Sequence, residues 1–202
     1  MTYDILTMNF EPQLMPYQDQ PFNGDGYICT EFLMLKKIFG IRTVIETGTC
    51  LGYTTRWMAQ NFKQVRSVEL RGDYLALAEK RLDPHTNVML YEGRSQDWLC
   101  DMLLGLGDNT LIFLDAHWGK QCPLTDELEI IAASGIRPVI AIHDFMVPDR
   151  PELGYDSIDG HPFCMEWLQP CFNKIYGKDR YTHWYNREAE GAMRGIIYLT
   201  KN

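Results

Sequence analysis

The stretch 43–54, TVIETGTCLGYT, decides the fold of this chain. It opens with an apolar, β-branched run that is typical of a buried strand. A turn with two glycines follows, and Tyr53 and Thr54 open a segment with helical periodicity. Gly48 permits a tight turn, and Gly52 lets the backbone approach a ligand closely at a helix N-terminus. Strand, glycine turn and helix in this order predict the first unit of a doubly wound α/β sheet.

Strand and helix signals alternate from this stretch to Asp144. Short runs rich in Val, Ile and Leu are separated by helical segments, a pattern typical of a parallel sheet covered on both faces. We predict a Rossmann-like, doubly wound α/β fold with a mostly parallel seven-stranded sheet, helices on both faces and a C-terminal antiparallel hairpin. The predicted strands are 43–47, 65–70, 88–91, 110–115 and 138–143, and the helices between them are 53–62, 74–82, 95–104 and 125–133.

The two ends of the chain lie outside this alternation. Residues 1–27 are rich in proline and glycine, and we expect an N-terminal arm or lid there, with residues 28–202 as a single domain. A helix is predicted over about 30–39, with Gly40 ending it. Beyond Asp144, the pattern predicts a loop at 147–162, a helix at 163–176 and two strands of a hairpin at 181–186 and 194–199.

The composition restricts the class of protein and its partners. With 202 residues, 46% of them hydrophobic and 23% charged, the chain fits a soluble protein of one domain. The formal net charge of −8 and the scattered basic residues disfavour a nucleic-acid partner. None of the six cysteines stands in a C-x-x-C pair, and no leader or membrane segment is recognisable. We therefore expect reduced thiols, a cytoplasmic location and no membrane partner; the oligomeric state is not indicated.

A carboxylate stands at the end of the second predicted strand, the edge at which such sheets bind ligands. Glu69 follows Gly48 at a spacing that suits an acceptor for both hydroxyls of a ribose. The same pair would fit a nicotinamide cofactor, but the run Gly48-Thr49-Cys50 breaks the G-x-G-x-x-G pattern. A diphosphate-binding turn is therefore disfavoured.

Further motifs stand at the chain's N-terminal segment, at two strand ends and in the last predicted strand. They are Asn23-Gly24-Asp25, Gly93-Arg94-Ser95-Gln96-Asp97, Leu114-Asp115-Ala116-His117-Trp118 and the run 191–198, GAMRGIIY. Together with the first motif at 46–54, they resemble the class I S-adenosylmethionine-dependent methyltransferases, and among these the catechol O-methyltransferase-like branch. The resemblance covers about residues 22–145, with a weaker match at the C-terminal hairpin.

This resemblance implies S-adenosylmethionine as the cofactor and a role for each motif. The glycine turn would hold the methionine portion, the second strand the ribose, and the stretch after the third strand the adenine. The implied cofactor-binding residues are Asp25, Glu46, Gly48, Gly52, Tyr53, Thr54, Glu69, Ser95, Gln96, Asp115 and Trp118.

Two carboxylates, Asp115 and Asp144, end adjacent predicted strands and should lie close together near the ligand. Such oxygen ligands suit Mg²⁺ or another divalent cation, which would bind an acceptor oxygen and lower the pKa of its hydroxyl. The resemblance implies the same two residues as metal ligands, but Phe145 stands where the family has a third ligand, an Asn. His117 or His143 would complete the site, which would favour a transition metal.

Two residues are candidates for the general base that takes the acceptor's proton. The family has a Lys directly after the Trp; here Gly119 intervenes, and Lys120 is the nearest match. His143, beside Asp144 at a strand end, is the alternative.

We therefore predict an S-adenosylmethionine-dependent methyltransferase that acts on a small molecule, through oxygen, with or without a divalent ion. The alternatives are a metal-independent N- or carboxyl-methyltransferase and a non-catalytic S-adenosylmethionine-binding partner protein. Trp184 stands where the family has a catechol-binding carboxylate, so catechol itself is not expected as the substrate. The acidic loop 148–161, which includes Tyr155, either favours a polar or cationic acceptor or is simply solvated.

Overall fold

A computed structural model describes residues 17–117 and 122–202 of the chain. A 3-10 turn at Pro21–Gly24 precedes an alternation of helices and strands. The helices are α1 (Gly26–Phe39), α2 (Tyr53–Asn61), α3 (Gly72–Leu82), α4 (Ser95–Leu103), α5 (Leu124–Ser134) and α6 (Met165–Tyr176). The strands are β1 (Thr43–Thr47), β2 (Gln64–Glu69), β3 (Val88–Glu92), β4 (Thr110–Leu114), β5 (Val139–His143), β6 (Ser157–Ile158), β7 (His161–Pro162), β8 (Tyr181–Tyr185) and β9 (Ile196–Lys201).

Seven strands form one sheet in the order β3-β2-β1-β4-β5-β9-β8. Strands β1 to β5 run parallel, whereas β9 pairs antiparallel with both β5 and β8. The prediction of a doubly wound, mostly parallel sheet with a C-terminal antiparallel hairpin is confirmed. Because β1 lies between β2 and β4, the strand order reverses there, and the carboxyl ends of these strands form the edge at which such sheets bind ligands.

The sheet separates two hydrophobic clusters, one on each face. On one face, α4, α5 and α6 contribute fully buried side chains such as Leu99, Leu128 and Phe172. On the other face, α1 and α2 contribute Phe32 and Met58. All five residues of β1 are buried, because helices cover the sheet on both sides. This burial explains the continuous apolar run that identified the strand.

The first helix begins earlier than its apolar pattern predicts. It starts at Gly26 because the Asp25 carboxylate caps it, accepting hydrogen bonds from two backbone amides of the first turn. Phe22 is buried with the residues of α1 and α2, so this part of the predicted arm packs on the sheet. The division of the chain at residue 27 stays a prediction, because residues 1–16 lie outside the described part.

The other observed helices and strands begin and end within a residue or two of the predicted bounds. Gly40, with a left-handed φ of 62°, ends α1 as expected. The loop predicted at 147–162 contains the short hairpin β6–β7, which its turn-rich sequence does not reveal. None of the described helices is long and apolar enough to cross a membrane.

Candidate active site

The glycine turn after β1 brings this strand against the end of β4. Gly48 has a φ of 89°, and a Cβ atom at this position would lie 2.6 Å from the backbone oxygen of Asp115. Gly52 also has a positive φ, but a Cβ there would meet Ala78 of α3 at 3.0 Å. Gly52 therefore permits close packing of α3 in this structure, and its contact with a ligand stays a prediction.

The carboxylate predicted to bind a ribose is held at the sheet edge by backbone amides. Oε2 of Glu69 accepts a hydrogen bond from Cys50 N at 2.7 Å, and Oε1 accepts one from Arg71 N at 2.9 Å. Burial raises the pKa of Glu69, and these amides oppose that rise. Because each carboxylate oxygen has a second lone pair, the fixed group can still accept hydrogen bonds from a ligand.

Glu46 lies beneath the glycine turn. Its Oε2 accepts hydrogen bonds from the hydroxyls of Thr55 at 2.5 Å and Ser67 at 2.6 Å. Complete burial raises the pKa of Glu46 to about 8, although the two hydroxyls favour the charged form. This geometry lets Glu46 hold the turn against α2 and β2; its contact with a cofactor stays a prediction.

The two residues that open α2 already have partners within the chain. The Thr54 hydroxyl accepts a hydrogen bond from Phe22 N at 2.9 Å, which attaches the N-terminal segment to the turn. The ring of Tyr53 lies under the Arg81 guanidinium, 3.6 Å from centroid to Cζ. Both residues stabilise the turn, and their predicted contact with a cofactor stays a prediction.

The N-terminus of α4 carries the two residues implied for adenine binding. Ser95 is buried, and its Oγ has no hydrogen-bond partner among the residues that the structure describes. Gln96 lies beside Arg94, whose guanidinium can donate to its amide oxygen. A buried serine hydroxyl without a partner is unusual, since such groups are nearly always hydrogen-bonded.

Asp25 places another buried carboxylate at this edge. Its Oδ1 caps α1, but Oδ2 is buried without a partner in the described part of the chain. Burial raises the pKa of Asp25, and the positive charge of His143 is close enough to oppose that rise. The segment that the sequence implied as a cover over the cofactor therefore reaches the ends of the central strands.

Three side chains that follow β4 and β5 form a group suited to a metal ion. One ligand atom each from Asp115, His117 and Asp144 lies within 4.8 Å of the others. His117 Nε2 is 2.8 Å from Asp144 Oδ2 and 3.9 Å from Asp115 Oδ1. The structure thus brings together the two predicted carboxylates and assigns His117, one of two possibilities left open by the sequence, to this group.

His143 is enclosed behind the same carboxylates. Its side chain is 3% exposed, and its Nδ1 lies 3.1 Å from Asp115 Oδ1 and 3.3 Å from Asp144 Oδ2. Burial lowers the pKa of His143, but the charges of Asp144 and Asp115 outweigh it and raise the pKa well above 6.5. This environment favours the imidazolium ion, which neutralises carboxylates, over a free base; the catalytic role of His143 stays a prediction.

Arg194, which the sequence analysis did not predict as a site residue, adds a positive charge beside the carboxylates of this group. Its guanidinium donates to the carboxylates of Asp144 and of Asp156 in the loop after β5. Burial would raise the pKa of Asp144, but His143, His117 and Arg194 surround it with positive charge or donors, and its pKa falls well below the ordinary range. Asp144 also has a left-handed φ of 57°, a strained conformation that often marks functional sites. The only feature of the sequence that could have indicated this role is the position of Arg194 within the C-terminal motif 191–198.

Phe145 does not take part in this group. Its side chain is fully buried in the core on the α4–α6 face and packs near Tyr185. Trp184, the other departure from the family pattern, stacks on Tyr198 and donates a hydrogen bond to Glu31 of α1. Trp118 and Lys120 lie outside the described residues, so their predicted roles stay predictions.

Comparison with known proteins agrees with this architecture. No protein-family profile matches the sequence. The ribosomal RNA small subunit methyltransferase A of Syntrophus aciditrophicus is 29% identical over 92 residues, which are 46% of this chain and 32% of that protein. The chain therefore matches only about a third of that relative's length.

Solved structures match over most of the chain. An O-methyltransferase from Bacillus cereus in complex with S-adenosylhomocysteine has a TM-score of 0.62 and 20% identity, over 87% of this chain and 81% of that one. The O-methyltransferase TomG from Streptomyces achromogenes, solved with S-adenosylmethionine, has a TM-score of 0.57 and 18% identity, over 85% and 78% of the two chains. The fold is the Rossmann-like fold of class I S-adenosylmethionine-dependent methyltransferases.

Proposed function

We propose that this protein is an S-adenosylmethionine-dependent methyltransferase that methylates a hydroxyl group of a small molecule. The observation that carries the proposal is a concentration of unsatisfied polar atoms at the carboxyl edge of the sheet. Among the described residues, five buried side chains have an unpartnered polar atom. Three of them border this edge: Asp25, Ser95 and Glu127. Such atoms are rare in folded proteins, and their concentration here supports a ligand site.

The residues at this edge fit a nucleoside with a zwitterionic tail. Glu69 would accept hydrogen bonds from the ribose hydroxyls, and Ser95 and Gln96 would contact the adenine. The narrow turn at Gly48 leaves backbone at the end of β1 to face the methionine portion. When bound, S-adenosylmethionine supplies a methyl group already activated by its sulfonium, so the protein mainly has to align the acceptor.

The Asp–His group after β4 and β5 supports methylation at oxygen. Asp115 and His117 follow β4 at the ligand-binding edge of the sheet, and the Asp115 carboxylate would offer an acceptor for the proton of an acceptor hydroxyl. A hydroxyl held by these groups would lose its proton as the new bond to carbon forms, which is general base catalysis. Lys120 remains a further candidate for this role.

The same group fits a divalent cation. Two carboxylates and one imidazole are a common donor set, and the imidazole favours Mn²⁺, Fe²⁺ or Zn²⁺ over the Mg²⁺ suggested by carboxylates alone. A bound cation would supply Lewis acidity that lowers the pKa of the acceptor hydroxyl. The alternative is metal-independent methylation, including at nitrogen or a carboxylate, and it is supported by Arg194, which already neutralises Asp144.

The acceptor class follows from charge. The net charge of −8 disfavours RNA, although the one curated relative named above is a ribosomal RNA methyltransferase. Two acidic side chains of the loop after β5, Glu152 and Asp156, are paired with Arg150 and Arg194. This pairing weakens the case for a cationic acceptor and leaves a neutral, polar small molecule as our proposal. All six cysteines are free thiols, in keeping with a cytoplasmic location.

Calorimetric titration tests the proposal directly. We expect S-adenosylhomocysteine to bind and NAD to show no binding under the same conditions. Binding of NAD without S-adenosylhomocysteine would show that the edge holds a different cofactor. Methyl transfer from labelled S-adenosylmethionine to a panel of hydroxylated metabolites, with and without a chelator, then separates the metal-dependent enzyme, the metal-independent enzyme and the non-catalytic binding protein.

A further inference from the structure

Strand β8 forms one edge of the sheet, away from the ligand-binding edge described above. Among the described strands it pairs with β9 alone. Arg180 O accepts a hydrogen bond from Asn202 N, so the alternation of an antiparallel ladder makes the even-numbered residues of this segment bond to β9. The backbone N–H and C=O groups that face the open edge are therefore those of Tyr181, His183 and Tyr185.

The sequence of β8 lacks the residues by which edge strands usually avoid pairing. Natural edge strands are protected by charged side chains or by proline. The run 181–185, YTHWY, contains no Asp, Glu, Lys, Arg or Pro, and four of its five residues are of aromatic or β-branched types that favour strands. The strand at the opposite edge, β3, includes the charged residue Glu92. Of the two edges, β8 is therefore the one suited to pairing with a further strand.

A second copy of β8 could pair with the first in an antiparallel register centred on His183. In that register, His183 lies opposite His183 of the second copy, and Tyr181 lies opposite Tyr185. All the backbone groups that face the open edge then find partners, because every outward-facing residue lies opposite another outward-facing residue. A shift of the register by two residues would leave some of these groups unpaired.

The same register brings opposite charges together at the ends of β8. Lys178 and Asp179 precede the strand, Arg187 and Glu188 follow it, and all four side chains are exposed. None of them forms an ion pair within residues 17–117 and 122–202. Continued beyond the strand, the register places Asp179 near Arg187 of the second copy. It also places Lys178 near Glu188 of the second copy, so the two ends of the strand are complementary to each other.

Apolar side chains lie beside β8. Helix α1 and β8 border a groove of about 560 Å³, which is lined by Tyr27, Met34, Ile38 and Trp184 among others. Tyr27 is 49% exposed, Met34 48% and Ile38 67%. A cluster of exposed apolar side chains is typical of an interaction surface. A two-fold axis perpendicular to the sheet keeps α1 of both copies on the same face. The two grooves then open towards the axis and add apolar area to the short strand pair, as a stable interface requires.

We propose that a second copy of this chain pairs with β8, antiparallel and centred on His183, and joins the two sheets into one continuous sheet. The product is an isologous dimer, the commonest symmetry of soluble oligomers. Main-chain hydrogen bonds and the apolar groove supply affinity, and the end charges set the register. Each copy has a net charge of −8, which opposes unspecific association. The dimer does not depend on the cofactor or the reaction proposed above.

Sedimentation equilibrium of the full chain tests this interface. The variants are Lys178→Glu, Glu188→Lys, the double variant with both reversals, and His183→Pro. Lys80→Glu and Glu79→Lys make the same changes of charge on the exposed side of α3 and are the controls. Circular dichroism verifies that each protein is folded. Proline at position 183 removes an outward-facing N–H group and leaves the ladder with β9 intact.

We expect wild type and both controls to dimerise within a concentration range of about 1–100 µM. Lys178→Glu and Glu188→Lys should each raise the dissociation constant by about tenfold, because each reversal turns two attractive contacts of the dimer into repulsive ones. The double variant restores opposite charges and should regain the affinity of wild type. An equimolar mixture of the two single variants should form a heterodimer, in which all these contacts are attractive. His183→Pro should weaken the dimer by about tenfold or more.

Three results would overturn the inference. A monomeric wild type across this range would leave the edge to another occupant, such as residues 1–16 or a different protein. A wild-type dimer that none of the variants weakens would place the interface on another surface. Weakening by the single reversals without recovery in either the double variant or the mixture would exclude the proposed register. The mixture keeps this last comparison available if the double variant does not fold.

Discussion

At the scale of single residues, the Asp144 carboxylate at the end of β5 lies between several positively charged or hydrogen-bond-donating side chains. Asp144 accepts from Arg194 through Oδ1 and faces His117 and His143 through Oδ2. A divalent ion at Asp144 would have to share this carboxylate with a guanidinium that carries a permanent charge. Any affinity of this group for a metal ion would therefore depend on Arg194 as well as on Asp115, His117 and Asp144.

Replacing Arg194 should increase the affinity for a divalent cation. In Arg194→Ala, Asp144 loses a competing positive charge, and we expect Mn²⁺ to bind several-fold more tightly than in wild type, measured by electron paramagnetic resonance. His117→Ala should weaken Mn²⁺ binding, because it removes the imidazole. Arg150→Ala, which breaks an exposed pair with Glu152, is the control. Equal Mn²⁺ affinity in all four proteins would mean that the Asp–His group is not a metal site.

Replacing Glu69 should weaken cofactor binding. The backbone amides of Cys50 and Arg71 fix the carboxylate, so it meets a ribose with little loss of conformational freedom. We expect Glu69→Ala to lose roughly 1–3 kcal/mol of binding free energy for S-adenosylhomocysteine, measured by calorimetry. Glu79→Ala, on the exposed side of α3, should bind as wild type does. An unchanged affinity in Glu69→Ala would exclude this residue from the site.

The residues that could be predicted are those fixed by strand ends. Asp115, Asp144 and Glu69 follow apolar runs, and parallel strands bring their carboxyl ends to one edge. Arg194 and Asp156 belong to segments far apart in sequence, and only the packing of the loop after β5 against the C-terminal hairpin brings them together. No local sequence pattern predicts the contact between Arg194 and Asp156.

At the scale of secondary structure, the turn between β1 and α2 depends on glycine for two reasons. Gly48 has a positive φ, and it also lies against the backbone of Asp115. Gly40 at the end of α1 has a positive φ as well, but a Cβ there would meet no atom within 4 Å. A comparison of Gly40 with Gly48 therefore separates the cost of the left-handed backbone conformation from the cost of a steric clash.

Alanine at these two glycines should destabilise the protein to different extents. We expect Gly40→Ala to cost about 1–2 kcal/mol from the left-handed conformation alone. Gly48→Ala should cost a further ~1–3 kcal/mol, because the new methyl group forces β1 and β4 apart at the site. Urea unfolding measures both values. Equal losses of stability in the two variants would show that the end of β4 can move to accommodate the new methyl group at little cost.

Sequence patterns predict the order of the helices and strands better than they predict the contacts that individual residues make. The glycine turn was predicted correctly, and Gly52 also accommodates Ala78 of α3, a contact that the sequence did not predict. The start of α1 was placed too late, because the cap by Asp25 precedes the first apolar residue of the helix. Both differences arise from contacts that periodicity does not encode.

At the scale of the whole molecule, two buried carboxyl groups link folding to pH. The pKa of Glu46 is raised to about 8 and that of Glu127 to about 7, in both cases mainly by burial. A raised pKa means that the folded protein holds a proton which the unfolded chain has released. Stability from these groups is therefore complete below the ordinary value of 4.5, falls as pH rises, and reaches its minimum above the folded-state pKa.

We expect the free energy of unfolding to fall by roughly 1.4 kcal/mol per pH unit for each group, between pH 4.5 and 8 for Glu46 and between pH 4.5 and 7 for Glu127. The side chain in Glu46→Gln cannot ionise, so the stability of this variant should fall less steeply with pH than that of wild type across this range. Above pH 8, the two proteins should show the same dependence of stability on pH. Urea unfolding at half-unit pH steps measures it, with Glu79→Gln on the exposed face of α3 as the control. Parallel profiles for wild type and Glu46→Gln would mean that Glu46 is already ionised in the folded protein, held by the hydroxyls of Thr55 and Ser67.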